Sequence, residues 1–242
     1  MATVCVPWRP SPSRMKPFRR VIDFYRTNFP DWPIILSDSN DPDDVFNLAQ
    51  ARNNAVAGAR TDIIVINDAD TIVSADTIRA CVADPVGVTW PHSEWRLIPA
   101  EYADKPIETF PHATPLIRYS DGLGGVMVCR RDEYWRLGGQ PEEFRGWGCE
   151  DCAFHLVVLA LSSFRRMPGV AYSIDHNKPT GEADSPGWSR NGPQRQRNME
   201  LLQIYQAAGG RAWLMREIIK TRHERQEVPT PENDPLAGRY KG

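Results

Sequence analysis

The chain has 242 residues, 25% of them charged and 41% hydrophobic, with a formal net charge of -2. A chain of that length buries roughly 70–75% of its unfolded surface, so its core needs neither disulfides nor a structural metal. No apolar run approaches the roughly 18–20 residues of a membrane span, and the near-neutral balance argues against a broad phosphate-tracking surface. Five cysteines, an odd number at scattered positions (Cys5, Cys81, Cys129, Cys149, Cys152), make no disulfide framework. The start, Met1 to Arg9, reads as a strand followed by Pro and Trp, not as a basic-then-apolar signal peptide. The expectation is a reduced, cytoplasmic protein.

Strand and helix patterns alternate through the first half. Thr3 to Val6 is a β-rich run, and Phe18 to Phe29 carries a helical stripe at Phe18, Val21, Ile22, Tyr25 and Phe29. Pro33 to Ser37 reads as a compact buried strand ended by the turn signal Asp38-Ser39-Asn40-Asp41-Pro42. Leu48 to Ala59 is Ala-rich and helical. Asp62 to Asn67, with Ile63-Ile64-Val65-Ile66, suits a central parallel strand covered on both faces. A helix follows over Ser74 to Ala83, with Ser74 as its cap. The alternation predicts an α/β fold with ligand sites beyond the carboxyl ends of its strands.

The second half is less regular. Val86 to Trp90 and Gly124 to Arg130 read as strands separated by a Pro-rich, loop-like segment from Trp90 to Tyr119. A short helix over Asp132 to Leu137 precedes Gly138-Gly139, and Cys152 to Leu161 is a nearly all-apolar, buried helix. Gly169 to Ile174 is a strand and Met199 to Ala208 a helix. From about Thr221 the composition turns polar, with Pro229, Pro231 and Pro235, which predicts a solvated tail over 221–242.

Asp68-Ala69-Asp70 lies where the most apolar strand ends. Side chains two apart on a strand share a face, so both carboxylates are expected to project together into the crevice. Two hard oxygen ligands suit Mg²⁺ or Mn²⁺ and leave positions for a diphosphate; the plainer reading of the tripeptide is a solvated turn. Glu150-Asp151 precedes an apolar helix, whose dipole stabilises ionised carboxylates at its N-terminus. That favours a base or a hydroxyl-binding group, against ordinary helix-start charge. Cys149-Glu150-Asp151-Cys152 is formally a C-x-x-C, but two acids between the thiols raise their pKa, and no second pair completes a zinc site.

Gln50-Ala51-Arg52-Asn53-Asn54-Ala55-Val56-Ala57-Gly58-Ala59, leading through a strand to Asn67-Asp68-Ala69-Asp70, resembles the A-R-N helix and D-x-D segment of GT-A nucleotide-sugar glycosyltransferases. Gly138-Gly139, Phe144-Arg145-Gly146-Trp147-Gly148 and Glu150-Asp151 look like the G-G-x…F-x-G-W-G-x-E-D segment of galactosyltransferase and polypeptide N-acetylgalactosaminyltransferase-like members, close to family 2. The resemblance implies a single GT-A domain over residues 1–220. Its Rossmann-like nucleotide-sugar half, 1–90, would have a mixed central sheet flanked by helices, and would merge with an acceptor-side half, 91–220. Two departures are expected from the family pattern: no N-terminal anchor like that of Golgi relatives is recognisable, and Trp90 to Tyr119, where acceptor contacts would be expected, carries no motif that can be assigned.

The resemblance also implies roles. Asp70, with His176 and Asp68, would hold Mn²⁺ or Mg²⁺; an imidazole beside carboxylates favours Mn²⁺. Pro7, Trp8 and Arg9 would lie beside the base, with Asp38 at the uracil or ribose. Arg52 would face the phosphates or hold the D-x-D carboxylates. Asp68, Ala69, Gly125 and Trp147 join the nucleotide-sugar set, Trp147 as a flat face for a sugar ring, and Arg195 within the basic Trp188–Arg197 segment would close on the diphosphate. Asp151 and Glu150 would be catalytic. The implied donor is a UDP-sugar carrying glucose, galactose or an N-acetylated form. The acceptor hydroxyl belongs to a glycan, protein, lipid, small polyol or modified nucleobase. Two rivals use the same residues: a metal-dependent phosphoryl-transfer enzyme or nuclease, and a catalytically silent nucleotide-sugar-binding module.

Overall fold

The computed structural model describes residues 1–40, 45–110, 124–146, 148–176 and 193–226. The first half forms β1 (Thr3–Pro7), α1 (Met15–Asn28), β2 (Ile34–Ser37), α2 (Leu48–Gly58), β3 (Ile63–Asn67), β4 (Thr71–Ile72), α3 (Ala75–Ala83) and β5 (Val88–Trp90). The second forms β6 (Glu94–Ile98), β7 (Val126–Arg130), α4 (Arg131–Arg136), α5 (Glu150–Leu161), β8 (Phe164–Arg166), β9 (Val170–Ile174), α6 (Pro193–Ala208) and α7 (Ala212–Gln226). Six strands make one sheet in the order β2-β1-β3-β7-β5-β8, and β4-β9-β6 make a smaller one.

β3 lies inside the large sheet, with all five residues buried. It pairs in parallel with β1 and antiparallel with β7, so the sheet is mixed. Alternation sends Ile64 and Ile66 to one face and Ile63 and Val65 to the other. The first face packs against Ala55 and Val56 of α2, Phe154 and Val157 of α5, and Tyr205 and Met215 of α6 and α7. The second packs against Val21 and Tyr25 of α1, Ile78 of α3 and Ile72 and Ile174 of the small sheet. The pairing directions bring the carboxyl ends of β1, β2, β3 and β5, and the amino end of β7, to one edge.

Several expectations need correction. β2 is an edge strand with Leu36 46% exposed, because an unbroken Ile-Ile-Leu run reads as buried whether or not a neighbour covers it. The Pro-rich stretch after Trp90 contains β6, whose alternating Glu94-Trp95-Arg96-Leu97-Ile98 pairs with β9. Ser74 occupies the cap position of α3 without a side-chain cap bond. α5 begins at Glu150, two residues before the apolar run, and Leu159 on it is 47% exposed, so only one side is buried. α7 continues through Gln226 and its Arg222 is buried, so residues 221–226 belong to a helix and not to the tail expected from 221. Among the described residues no helix is long and apolar enough to cross a membrane.

Candidate active site

Asp68-Ala69-Asp70 is a tight turn between β3 and β4, closed by the Thr71 N–H donating to the Asp68 carbonyl at 3.2 Å. The same-face argument for a strand therefore does not hold, and the two carboxylates engage different partners. Asp68 turns to Arg52: Oδ1 accepts from Nη2 at 2.7 Å and Nε at 3.3 Å, and Oδ2 from Nη2 at 3.0 Å. The Gly125 N–H donates to Oδ2 at 3.1 Å while the Asp68 N–H donates to the Gly125 carbonyl at 2.7 Å. Gly125 has φ 88, and a Cβ there would stand 3.0 Å from Thr71, so glycine suits this close approach. Ala69 packs against the core on the α1 side.

Asp70 faces His176, whose Nε2 lies 3.0 Å from Oδ2, and the Thr71 hydroxyl donates to Oδ1 at 2.9 Å. The small sheet creates this pairing. β9 runs antiparallel to β4, and the Ile174 N–H donates to the Asp70 carbonyl at 2.8 Å, so a residue just past β9 meets one just before β4. Burial works against the Asp70 carboxylate, but the His176 hydrogen bond and charge, with Arg14, outweigh it and hold its pKa below the usual range. Arg14 escaped the sequence reading because it sits in a Ser/Pro-rich turn. Among the described residues no group of three His, Cys, Asp or Glu side chains could hold a metal ion. The protein offers a two-donor pair, one carboxylate and one imidazole, which fits a divalent ion brought with its own diphosphate oxygens.

Arg52, on α2 and 1% exposed, is the hub of the second group. Its Nη1 donates to Asp151 Oδ1 at 2.6 Å and to Gln140 Oε1 at 3.0 Å, with Glu150 Oε1 3.7 Å away. Burial opposes its charge, but Asp151, Asp68 and Glu150 outweigh that and raise its pKa. One cation serves three carboxylates, so the acids are not all held down. Burial, reinforced by the Asp151 charge and opposed by Arg52, pushes the Glu150 carboxyl up to about 8. Burial with the Asp151 and Asp70 charges lifts Asp68 to about 6 against Arg52. Glu150 points inward in the first turn of α5, its side chain 6% exposed, whereas Asp151 is 22% exposed and faces the crevice. A Cβ on Gly124 would stand 2.8 Å from Asp151 Oδ2, so the missing side chain leaves room over that oxygen.

Around this hub the two sequence motifs pack together. The Asn47 side chain caps α2 by accepting from the Gln50 N–H and donates to the Glu142 carbonyl at 2.7 Å. Asn53 donates to Glu142 at 2.6 Å and to the Gln140 carbonyl at 2.9 Å, and Tyr134 donates to Asn53 at 2.5 Å. Sequence reasoning missed Gln140, Glu142 and Tyr134, whose residue types carry no motif signal.

At the ends of β1 and β2, Arg9 Nε sits 2.9 Å from both Asp38 oxygens, and Asp38 also accepts from the Ser39 N–H at 2.6 Å. Pro7 is buried, and Trp8 stacks on Phe18 with centroids 3.9 Å apart, so one face of its ring is taken. Arg195, at the start of α6, donates to Cys149 Sγ at 2.8 Å, beside Asn198 donating to the Arg145 and Gly148 carbonyls at 2.9 Å. These contacts hold Cys149 at φ 81, a left-handed conformation that favours glycine. Burial pushes the Cys152 thiol up to about 11 and raises Cys149 as well, so neither supplies a thiolate at neutral pH. Trp147 and the segment 177–192 lie outside the described residues.

Comparison with known proteins agrees with this architecture. The family model described as the N-terminal domain of galactosyltransferase matches residues 105–173, the stretch that includes Gly138 to Asp151. The chain is similar in structure to the catalytic domain of Drosophila beta-1,4-galactosyltransferase 7 in complex with xylobiose (TM-score 0.57, 16% identity, 82% of this chain and 79% of that one). A mutant of the same Drosophila enzyme, in complex with manganese, UDP-Gal and xylobiose, superposes with TM-score 0.50 at 16% identity over 81% and 74%. No curated protein matches the chain by sequence. The fold is GT-A, and the resemblance to GT-A glycosyltransferases extends from sequence motifs to three-dimensional structure.

Proposed function

We propose that this GT-A chain is a metal-dependent glycosyltransferase that moves a hexose from a UDP-sugar to an acceptor hydroxyl. The observation that carries the reading is Arg52. Its guanidinium gathers Asp68 of the D-x-D and Asp151 of the E-D segment, distant in sequence, at the carboxyl edge of the sheet. A junction that brings the proposed donor-side and acceptor-side carboxylates together supports a transfer reaction, in which both substrates must meet within one sugar's reach.

In this reading Asp70 and His176 would hold Mn²⁺ or Mg²⁺, while Asp68 orients Arg52 and the turn. A bound divalent ion would neutralise charge on the departing diphosphate. Asp38, fixed by Arg9, faces the base or ribose, and Pro7 and Trp8 wall that end of the crevice. Asp151 Oδ1 is committed to Arg52, so Oδ2, over Gly124, is the oxygen that accepts the acceptor's proton in an inverting transfer. In a retaining transfer the same carboxylate orients the acceptor. Glu150, turned inward, acts on Arg52. Five unpaired thiols suit a reducing compartment such as the cytosol.

The test is UDP release from a panel of UDP-sugars with Mn²⁺, with and without acceptors, beside a nuclease control. UDP-galactose is the first donor to try, because the Drosophila structure contains it. Asp151→Asn should lower transfer by about 10² or more while metal-dependent UDP binding persists. Phosphodiester cleavage without UDP release, or an Asp151→Asn protein with near-normal turnover, would overturn the assignment.

A further inference from the structure

We propose that Gln140 is the positioning residue that decides which of two adjacent carboxylates Arg52 serves, and so sets the pose of Asp151. The inference rests on the transferase reading for its kinetic consequence and on geometry alone for its structural one. Arg52 Nη1 carries two hydrogens. One goes to Asp151 Oδ1 at 2.6 Å and the other to Gln140 Oε1 at 3.0 Å, while Glu150 Oε1 stands 3.7 Å away as a competitor. If the Gln140 oxygen is removed, one N–H of a cation that is 1% exposed is left without an acceptor, which is costly inside a protein. Glu150 Oε1 is the acceptor that can take it, and closing the 3.7 Å gap draws the guanidinium off the 2.6 Å Asp151 contact.

Gln140 is built to hold its place. It is fully buried. Its N–H donates to Asn53 Oδ1 at 2.9 Å and its carbonyl accepts from Asn53 Nδ2 at 2.9 Å, so its backbone is locked to the residue after Arg52. The preceding Gly139 has φ 65, and a Cβ there would stand 2.8 Å from Asn53 Oδ1. Behind the loop, buried Arg222 of α7 donates to the Gly138 carbonyl and, at 3.4 Å, to that of Gly139. Gln140 Nε2 makes no hydrogen bond among the described residues, so the side chain acts through its oxygen.

Two variants of equal length separate this role from simple packing. Gln140→Met removes the acceptor. Gln140→Glu keeps an acceptor oxygen in either protonation state, replaces the unpaired nitrogen and, when ionised, adds a charge that Arg52 attracts. For Gln140→Met the expectation is a kcat lower by about 10–10², with donor KM and Mn²⁺-dependent UDP binding within about twofold of wild type, because the Asp68 contacts are untouched. Gln140→Glu should recover most of that kcat. Crystal structures supply a readout free of activity. Arg52 Nη1 should sit on Glu150 in the Met variant and on Asp151 in wild type and the Glu variant. A Met variant that turns over normally, equal losses in both variants, or an unmoved Arg52 in the Met structure would overturn the proposal. If wild type transfers no sugar at all, the transferase reading falls, and the crystallographic comparison decides this inference by itself.

Discussion

Two charged groups share the edge of the sheet and are built on different plans. Around Arg52 a buried cation has its N–H groups met by Asp68, Asp151 and Gln140, and the partners come from the β3 turn, the Gly138–Gln140 loop and the first turn of α5. Around Asp70, among the described residues, stand His176 at 3.0 Å, the Thr71 hydroxyl at 2.9 Å and the charge of Arg14, with the Asp70 and His176 side chains 24% and 16% exposed. The first group ties distant parts of the chain together; the second is the pair to which the proposed function assigns the metal. The first should therefore dominate stability and the second ligand affinity. Substitutions that confuse those two readouts would break the comparison.

The largest effect is expected at Arg52. Arg52→Met leaves the Asp68 and Asp151 carboxylates without their cation in a mostly buried setting. Breaking one side of a buried ion pair costs about 3–5 kcal/mol, so denaturant unfolding should show a loss on that scale, accompanied by loss of turnover. A change below about 1 kcal/mol, the range of a surface pair, would mean that the junction is not structural.

His176→Ala should show the reverse pattern. Asp70 keeps its Thr71 hydrogen bond, and the pair joins no distant elements beyond what the β4–β9 pairing already fixes. Unfolding should change little, while Mn²⁺-dependent UDP binding by calorimetry weakens by about 10–100-fold, the scale of disturbing a metal's surroundings. Unchanged Mn²⁺ dependence would make the pair an ordinary hydrogen bond.

The contrast also explains what the sequence could reveal. β3 was legible because an all-apolar run followed by Asn-Asp is informative about both its burial and its open end. Both long motifs were legible as strings of residues. Their meeting was not, because Arg52 and Asp151 are 99 positions apart, and only the sheet order brings α2 against the α5 start. Gln140 and Tyr134 are chemically ordinary residues that become informative only when seen to be buried against Asn53. β6 was hidden by the prolines around it and by its Glu94 and Arg96, which alternate with apolar residues and pair with each other at 3.2 Å. α7 escaped notice because its sequence is strongly charged; it is anchored to the rest of the fold by buried Met215 and Arg222.

The last test reaches the inside of the junction. Glu150 has an ordinary value of 4.5 and a folded value pushed up to about 8, chiefly by burial and then by the Asp151 charge. A carboxyl whose pKa is raised on folding favours the folded state as the neutral acid. Its contribution is fully present below about pH 4.5 and is lost as pH rises through about 8. Glu150→Gln replaces the acid with a group of the same shape that stays neutral throughout. The wild-type stability minus that of the Gln variant should therefore fall as pH rises between those two values and be flat outside them. One proton limits the slope to about 1.4 kcal/mol per pH unit. Asp68, itself raised to about 6, titrates in the same window; it is present in both proteins, so the difference isolates Glu150 and its coupling to its neighbours. Parallel curves across the window would show that Glu150 is already ionised when folded. Arg52 would then be serving three full negative charges, and Glu150 would be a stronger competitor for the N–H that Gln140 holds.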